Sequence, residues 1–151
     1  MWEGKALMQV REGMSEVVLT LGPGHTLRDA AKRMTEKGVG AAIVIDEEQL
    51  HPAIVSERDI LRSIGRGQDP DSELVRDHMS DTVISAAPDW SLERAAMEMS
   101  RRHIRHLVII DGGDIAGVLS MRDIMRVWTS EGATSAMTSP ESESESAPAG
   151  S

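Results

Sequence analysis

Cysteine is absent from this 151-residue chain, and so are phenylalanine and tyrosine. Without cysteine there is no disulfide framework, no thiolate zinc site and no cysteine nucleophile. Three tryptophans make up the large aromatics, whereas methionine occurs ten times, so aliphatic and thioether groups must pack the core. Positive charge is also scarce: 16 Lys plus Arg face 25 Asp plus Glu, a formal net charge of −9. That argues against a nucleic-acid binder, whose affinity rests on neutralising phosphates, but leaves room for a local basic pocket. Long apolar runs are missing as well. The longest, Ala41 to Ile45 and Leu107 to Ile110, fall far short of a bilayer span. The opening Met1-Trp2-Glu3-Gly4-Lys5 lacks the basic-then-apolar layout of a signal peptide. A soluble, cytoplasmic protein with no membrane partner is the expectation. Hydrophobic residues still amount to 40%, enough for one compact domain or two very small ones.

What the chain does contain is one unit written twice. Val10-Arg11-Glu12-Gly13-Met14-Ser15 returns as Val75-Arg76-Asp77-His78-Met79-Ser80, an offset of 65. The same offset carries the segment from Thr26 to Met34 onto Ser91 to Met99, and Ile43-Val44-Ile45-Asp46 onto Val108-Ile109-Ile110-Asp111. One deletion later, at an offset of 64, Ile54-Val55-Ser56-Glu57-Arg58-Asp59-Ile60 matches Val118-Leu119-Ser120-Met121-Arg122-Asp123-Ile124.

Each copy reads as β-α-β-β-α. Glu16 to Leu21 and Thr82 to Ala86 are β-rich, and each is followed by a Pro-containing turn and a helix N-cap, Thr26 or Ser91. Leu27, Ala30, Ala31 and Met34 recur at helical spacing, as do Leu92, Ala95, Ala96 and Met99, so each set lines one face. Gly38 suits the first helix's C-cap. Apolar strands follow at Ala41–Ile45 and Leu107–Ile110, and third strands at Pro52–Val55 and Ile115–Leu119, with Gly112-Gly113 making the second turn tight. Final helices are expected from Glu57 to about Ile64 and from Met121 to about Trp128. The fold class is therefore α/β (α+β), two tandem β-α-β-β-α repeats packed through their sheets as one module. A single copy of about 55 residues would bury too little surface alone. The boundaries are a lead-in over 1–7, a first domain over 8–66, a linker over 67–72 and a second domain over 73–128. Residues 129–151 are rich in Ser, Glu, Ala, Pro and Thr, and read as a disordered acidic tail.

The pattern resembles a tandem pair of cystathionine-β-synthase (CBS) domains, a Bateman module, over roughly residues 8 to 128. The resemblance rests on the Val-Arg-x-x-Met opening, the Leu-x-x-Ala-Ala-x-x-Met helix, the apolar strand ending in Asp and the Ser-x-x-Asp close. Four such features in order, twice over, are specific where each alone is not. The resemblance implies a regulatory module that binds an adenosine-containing ligand (AMP, ADP, ATP or S-adenosylmethionine) between the paired domains. Its alternative implication is a nucleotide-free interaction platform.

Ser56, Arg58 and Asp59 in the first copy, with Ser120, Arg122 and Asp123 in the second, sit where a strand enters a helix. Ser-x-x-Asp is in itself a helix capping box. The same geometry favours a phosphate at the helix start, and a carboxylate can accept from both ribose hydroxyls. The resemblance assigns these positions to ribose and phosphate contact. Arg102-His103-Ile104-Arg105-His106 is the densest basic cluster in the chain, and reads either as a solvated helix end or as a phosphate site through Arg105 and His106. The first copy has Gly40 and Ala41 at the aligned positions, so the clefts should be unequal. By family analogy the adenine slot draws on Val17-Val18 and on Thr82, Val83 and Ile84, with Ile104. Gly117, in the small position before Ser120, allows close backbone approach, where the first copy carries Ala53. The second repeat, through Asp123, Ser120, Arg105 and His106, is expected to hold the tighter phosphate-bearing ligand. The competing expectation has loops reaching across, so that Arg105 serves the acid of the other repeat.

The five histidines show no ligand spacing for a metal, and no nucleophile-with-base set is present, so catalysis is not expected. Partners are expected to be a nucleotide, an unidentified regulated protein and a second copy of the chain. Apolar residues on two sides of the final helices (Ile60, Leu61, Ile64; Ile124, Val127, Trp128) point to a homodimer.

Overall fold

The computed structural model describes residues 8–137, with the side chains of 131–137 excepted. The first repeat contributes α1 (Val10–Gly13), β1 (Thr20–Leu21), α2 (Leu27–Lys37), β2 (Ala41–Val44), β3 (Ala53–Ser56) and α3 (Glu57–Gly65). A 3-10 turn (Val75–Asp77) leads into the second: β4 (Ser85–Ala86), α4 (Leu92–Arg102), β5 (His106–Asp111), β6 (Asp114–Ser120) and α5 (Met121–Met137). Two three-stranded mixed sheets result, ordered β1-β2-β3 and β4-β5-β6. In each, the first strand pairs parallel to the second and the second antiparallel to the third. Thr26 and Ser91 cap α2 and α4 through their hydroxyls, and Leu27, Ala30 and Met34 or Leu92, Ala95 and Met99 form the buried faces. The β-α-β-β-α unit therefore stands twice, as the sequence predicts.

Three expectations need correcting. The first strands are two residues long, not five or six, because the chain before them is committed elsewhere: Ser15 bridges Val118, and Ser80 bridges Ile54. The final helix does not stop near Trp128 but runs to Met137. Ala, Glu and Met continue a helix already started on a packed face, and no proline intervenes before Pro140. The rest of the acidic tail, 138–151, lies outside the described residues, as does the lead-in 1–7. Finally, Ile60 and Ile124 are buried in the two cores rather than offered to a partner, while Leu61, Ile64, Met125 and Trp128 remain exposed.

The sequence repeat is not the packing unit. Val10, from the start of the first copy, lies in the second core with Leu92, Leu107, Leu119 and Ile124. Val75, from the start of the second copy, lies in the first core with Leu27, Val44 and Val55. Backbone bonds fix both exchanges: Val10 N–H donates to Trp90 O (2.8 Å) and Val75 N–H to His25 O (2.8 Å). Gly117 is the cradle for one of them, since a Cβ there would stand 2.5 Å from the Ser15 carbonyl oxygen. Its close approach is to the exchanged segment. Each core thus includes residues from the other copy, and residues 15–19 and 80–84 are the stretches that cross between them.

Candidate functional site

The two crossings wall two clefts of unequal size. The larger, about 410 Å³, takes Ser56, Glu57, Arg58, Asp59 and Arg62 from the first repeat. The crossing contributes Ser80, Thr82, Val83 and Ile84, and the second repeat adds Ile104, Arg105, His106, Ser120, Arg122 and Met125. The smaller, about 190 Å³, is lined by Ser15, Val17 and Leu19 of the other crossing, by Gly38 to Ala41, and by His106, Ser120, Arg122, Asp123 and Arg126. Of the ligand positions singled out from the sequence, Ser56, Arg58, Asp59, Thr82, Val83, Ile84, Ile104, Arg105, His106, Ser120 and Arg122 meet in the larger cleft; Asp123 and Val17 line the smaller one, and Val18 lines neither. Arg105 lines the larger cleft together with Asp59, while Asp123 lines the smaller. The loop before β5 thus lines the same cleft as the start of α3.

The capping reading of Ser-x-x-Asp is realised at both sites. Asp59 Oδ2 accepts from the Ser56 backbone N–H (2.8 Å) and hydroxyl (3.1 Å), while the Ser56 hydroxyl oxygen accepts from Asp59 N–H. Asp123 Oδ2 likewise accepts from Ser120 N–H (2.8 Å), and Ser120 Oγ from Asp123 N–H (3.0 Å). The outer oxygens differ. Asp59 Oδ1 has an Arg62 nitrogen at 4.0 Å, and the side chain keeps 21% exposure. Asp123 Oδ1 accepts from Arg126 at 2.9 Å, with the side chain 12% exposed. Capping therefore leaves Asp59 with an acceptor oxygen turned to a roomy cleft, whereas the counterpart on Asp123 is already taken.

Charge in the larger cleft is mostly positive in a chain that is acidic overall. Arg58, Arg62, Arg105 and Arg122 line it against Glu57 and Asp59, with Arg122 bridging to Glu57 at 3.9 Å across the two helix starts. His106 is half-buried between them. Burial holds its ring below the usual imidazole range; Glu57 and Asp123 push it up, and Arg122 and Arg105 push it further down. Apolar surface comes from Ile54, Val83, Ile84, Ile104, Val108, Met121 and Met125. Arg62 and Met125 escaped sequence reasoning. Arg62 was findable: it stands three residues after Asp59 on α3, hence on the same helical face. Among the described residues no cluster of three or more His, Asp or Glu could hold a metal ion. None of their helices is long and apolar enough to cross a membrane.

Comparison with known proteins fits this geometry. The CBS domain family matches residues 8–66 and again 75–130. The chain is 32% identical over 134 residues to the CBS domain-containing protein YhcV of Bacillus subtilis, covering 87% of this chain and 94% of that one. It is 33% identical over 112 residues to an uncharacterized protein of Methanopyrus kandleri, covering 73% of this chain and 57% of that one. The chain thus spans little more than half of this second, longer relative. Among solved structures, a CBS domain protein of Pyrobaculum aerophilum complexed with AMP superposes with a TM-score of 0.67 at 30% identity, over 77% of this chain and 89% of that one. A hexameric CBS-CP12 protein from bloom-forming cyanobacteria gives 0.74 at 29% identity, over 82% and 73%. A CBS domain pair in complex with 5′-methylthioadenosine and S-adenosyl-L-methionine shares the fold, at 0.73 and 20% identity over 83% and 99%. The chain belongs to the CBS domain family, with two CBS domains in tandem.

Proposed function

We propose that the protein is a regulatory module whose larger cleft binds an adenosine nucleotide of the AMP, ADP or ATP class. The observation that carries this reading is the convergence in one cleft of three unlike elements. These are an acid with an available oxygen (Asp59), an apolar slot (Val83, Ile84, Ile104) and a set of arginines (Arg58, Arg62, Arg105, Arg122). The acid suits the ribose hydroxyls, the slot a base, and the arginine forks the phosphate oxygens. The volume of about 410 Å³ lies in the range of small-molecule sites, whereas 190 Å³ falls below it. The AMP complex of the Pyrobaculum relative supports the same ligand class. Signalling follows from differential binding: a nucleotide held by residues of both repeats favours whichever mutual arrangement completes its site. The dominant site accordingly belongs to Asp59, in place of the expected Asp123.

Thermal unfolding with AMP, ADP, ATP, NAD and S-adenosylmethionine tests this. One or more adenine nucleotides should raise the melting temperature, by about 2.7 kcal/mol of added stability at a hundred times Kd. No shift with any of them would contradict the reading. The second reading, a nucleotide-free platform that acts by self-association, is favoured by the exposed Leu61 and Ile64 on α3 and Met125 and Trp128 on α5. Light scattering would support it by a mass of twice 16.4 kDa or more together with no thermal shift.

A further inference from the structure

Four residues line both clefts: Gly40, His106, Ser120 and Arg122. His106 opens β5, opposite Ser120 on β6, and its ring stands in the wall that the two cavities share. Charged groups reach it from every side: Glu57 from α3, Arg122 and Asp123 from α5, and Arg105 from the residue before it. The position has no partner in the other half of the molecule, because the aligned residue of the first repeat is Ala41. Gly40 makes room for the Glu57 carboxylate, which a Cβ there would meet head-on, and lies in ordinary contact range of His106 Nε2. The wall therefore contains one titratable ring where a symmetric module would hold two or none.

Resting on the nucleotide site above, we propose that His106 makes phosphate binding proton-linked. The larger cleft takes up a proton on this ring when it accepts a 5′-phosphomonoester, and none when it accepts an uncharged nucleoside. Without ligand, burial and the two arginines outweigh Glu57 and Asp123, which holds the ring below the ordinary imidazole value and favours its neutral form. A phosphate dianion beside Arg105 adds two negative charges to the same wall and moves the balance to imidazolium, with the proton drawn from solvent. A neutral ring donates from one nitrogen only, whereas the imidazolium donates from both. The proton gained for the larger cleft also stands in the wall of the smaller one, beside Asp123. The sign of the pH dependence is fixed: the bound state holds more protons, so raising the pH above 7 weakens AMP and leaves adenosine unaffected.

Calorimetric titration of the full chain at pH 7 in two buffers of different ionisation enthalpy tests this, with AMP and adenosine as probes. The wild type should take up roughly half a proton with AMP and none with adenosine. AMP affinity should fall between pH 7 and 8.5, by at most about tenfold per pH unit. The phosphate itself can only release a proton on entering an arginine-lined cleft, so uptake excludes the phosphate by its sign, and its loss in a His106 variant assigns it to the ring rather than to Glu57 or Asp59. His106→Asn should bind AMP without proton uptake, at whatever affinity remains; His106→Gln serves if that variant does not fold. AMP binding without uptake in the wild type, or uptake that persists in both variants, would overturn the linkage and leave the nucleotide site standing. Failure of both AMP and adenosine to bind would overturn the site and the linkage together.

Discussion

At the start of α3, Asp59 gives one carboxylate oxygen to its helix cap and keeps the other 4.0 Å from Arg62; at the start of α5, Asp123 gives one oxygen to the cap and the other to Arg126 at 2.9 Å. The two acids come from one repeated motif, and local helix geometry treats them alike. Besides the arginine on its own helix, what separates them lies across the cleft. Asp59 shares its cleft with Arg105, whereas the cleft of Asp123 has Ala41 and lacks that guanidinium; Gly40 and His106 line both. Duplicated sequence thus gives duplicated scaffolding, while the chemistry of each site is set by the opposite copy. A residue's role cannot be assigned within its own repeat when the walls are exchanged.

The largest expected effect breaks the comparison at the acids themselves. Both Asp59→Ala and Asp123→Ala remove the same capping contact, so each should cost about 0.5–2 kcal/mol of stability. Their affinities for AMP should diverge: about 100-fold weaker or more for Asp59→Ala, from two lost charge-assisted bonds, and within about threefold of wild type for Asp123→Ala. Calorimetry reads the affinities and thermal unfolding the stabilities. Next, Arg105→Gln should weaken AMP by about 10- to 100-fold. Adenosine, which has no phosphate for the guanidinium to hold, should be spared.

A third change sharpens the contrast between the exchanged lead-ins. Gly117→Ala pushes a Cβ toward the Ser15 carbonyl at 2.5 Å, a backbone atom that cannot swing aside. A loss of about 1–3 kcal/mol is expected, read as a fall in denaturant midpoint, whereas the aligned Ala53 already carries its Cβ. The smallest effect has the opposite sign. His103 closes α4 in the left-handed conformation (φ 58°), where the first repeat has Gly38 (φ 69°). His103→Gly should stabilise by about 0.5–1 kcal/mol, and a lower melting temperature would show that the imidazole contributes more than its backbone costs.

The repeat, the capped helices and their buried faces were legible in the sequence because they depend on local spacing: the Leu27 and Leu92 stripes and the Thr26 and Ser91 caps need no knowledge of the partner copy. The candidate residues were legible too, since Asp59 stands in a motif and Arg105 in a basic cluster, while Thr82 follows from the family resemblance. Their grouping was not. The bond from Val10 to Trp90 and that from Val75 to His25 span 80 and 50 residues, and no local pattern reports which copy a lead-in joins. The same exchange shortened the first strands and left Arg105 lining one cleft with Asp59. The end of α5 was misread for a simpler reason, as composition alone cannot say where a helix already nucleated on a core will stop.

A crystal structure of the chain with AMP would decide which acid holds the ribose. Density is expected for one nucleotide in the larger cleft, with the ribose hydroxyls at Asp59, the base between Ile84 and Ile104, and the phosphate toward Arg105. Density in the smaller cleft with the ribose at Asp123, or two empty clefts at saturating AMP, would contradict it.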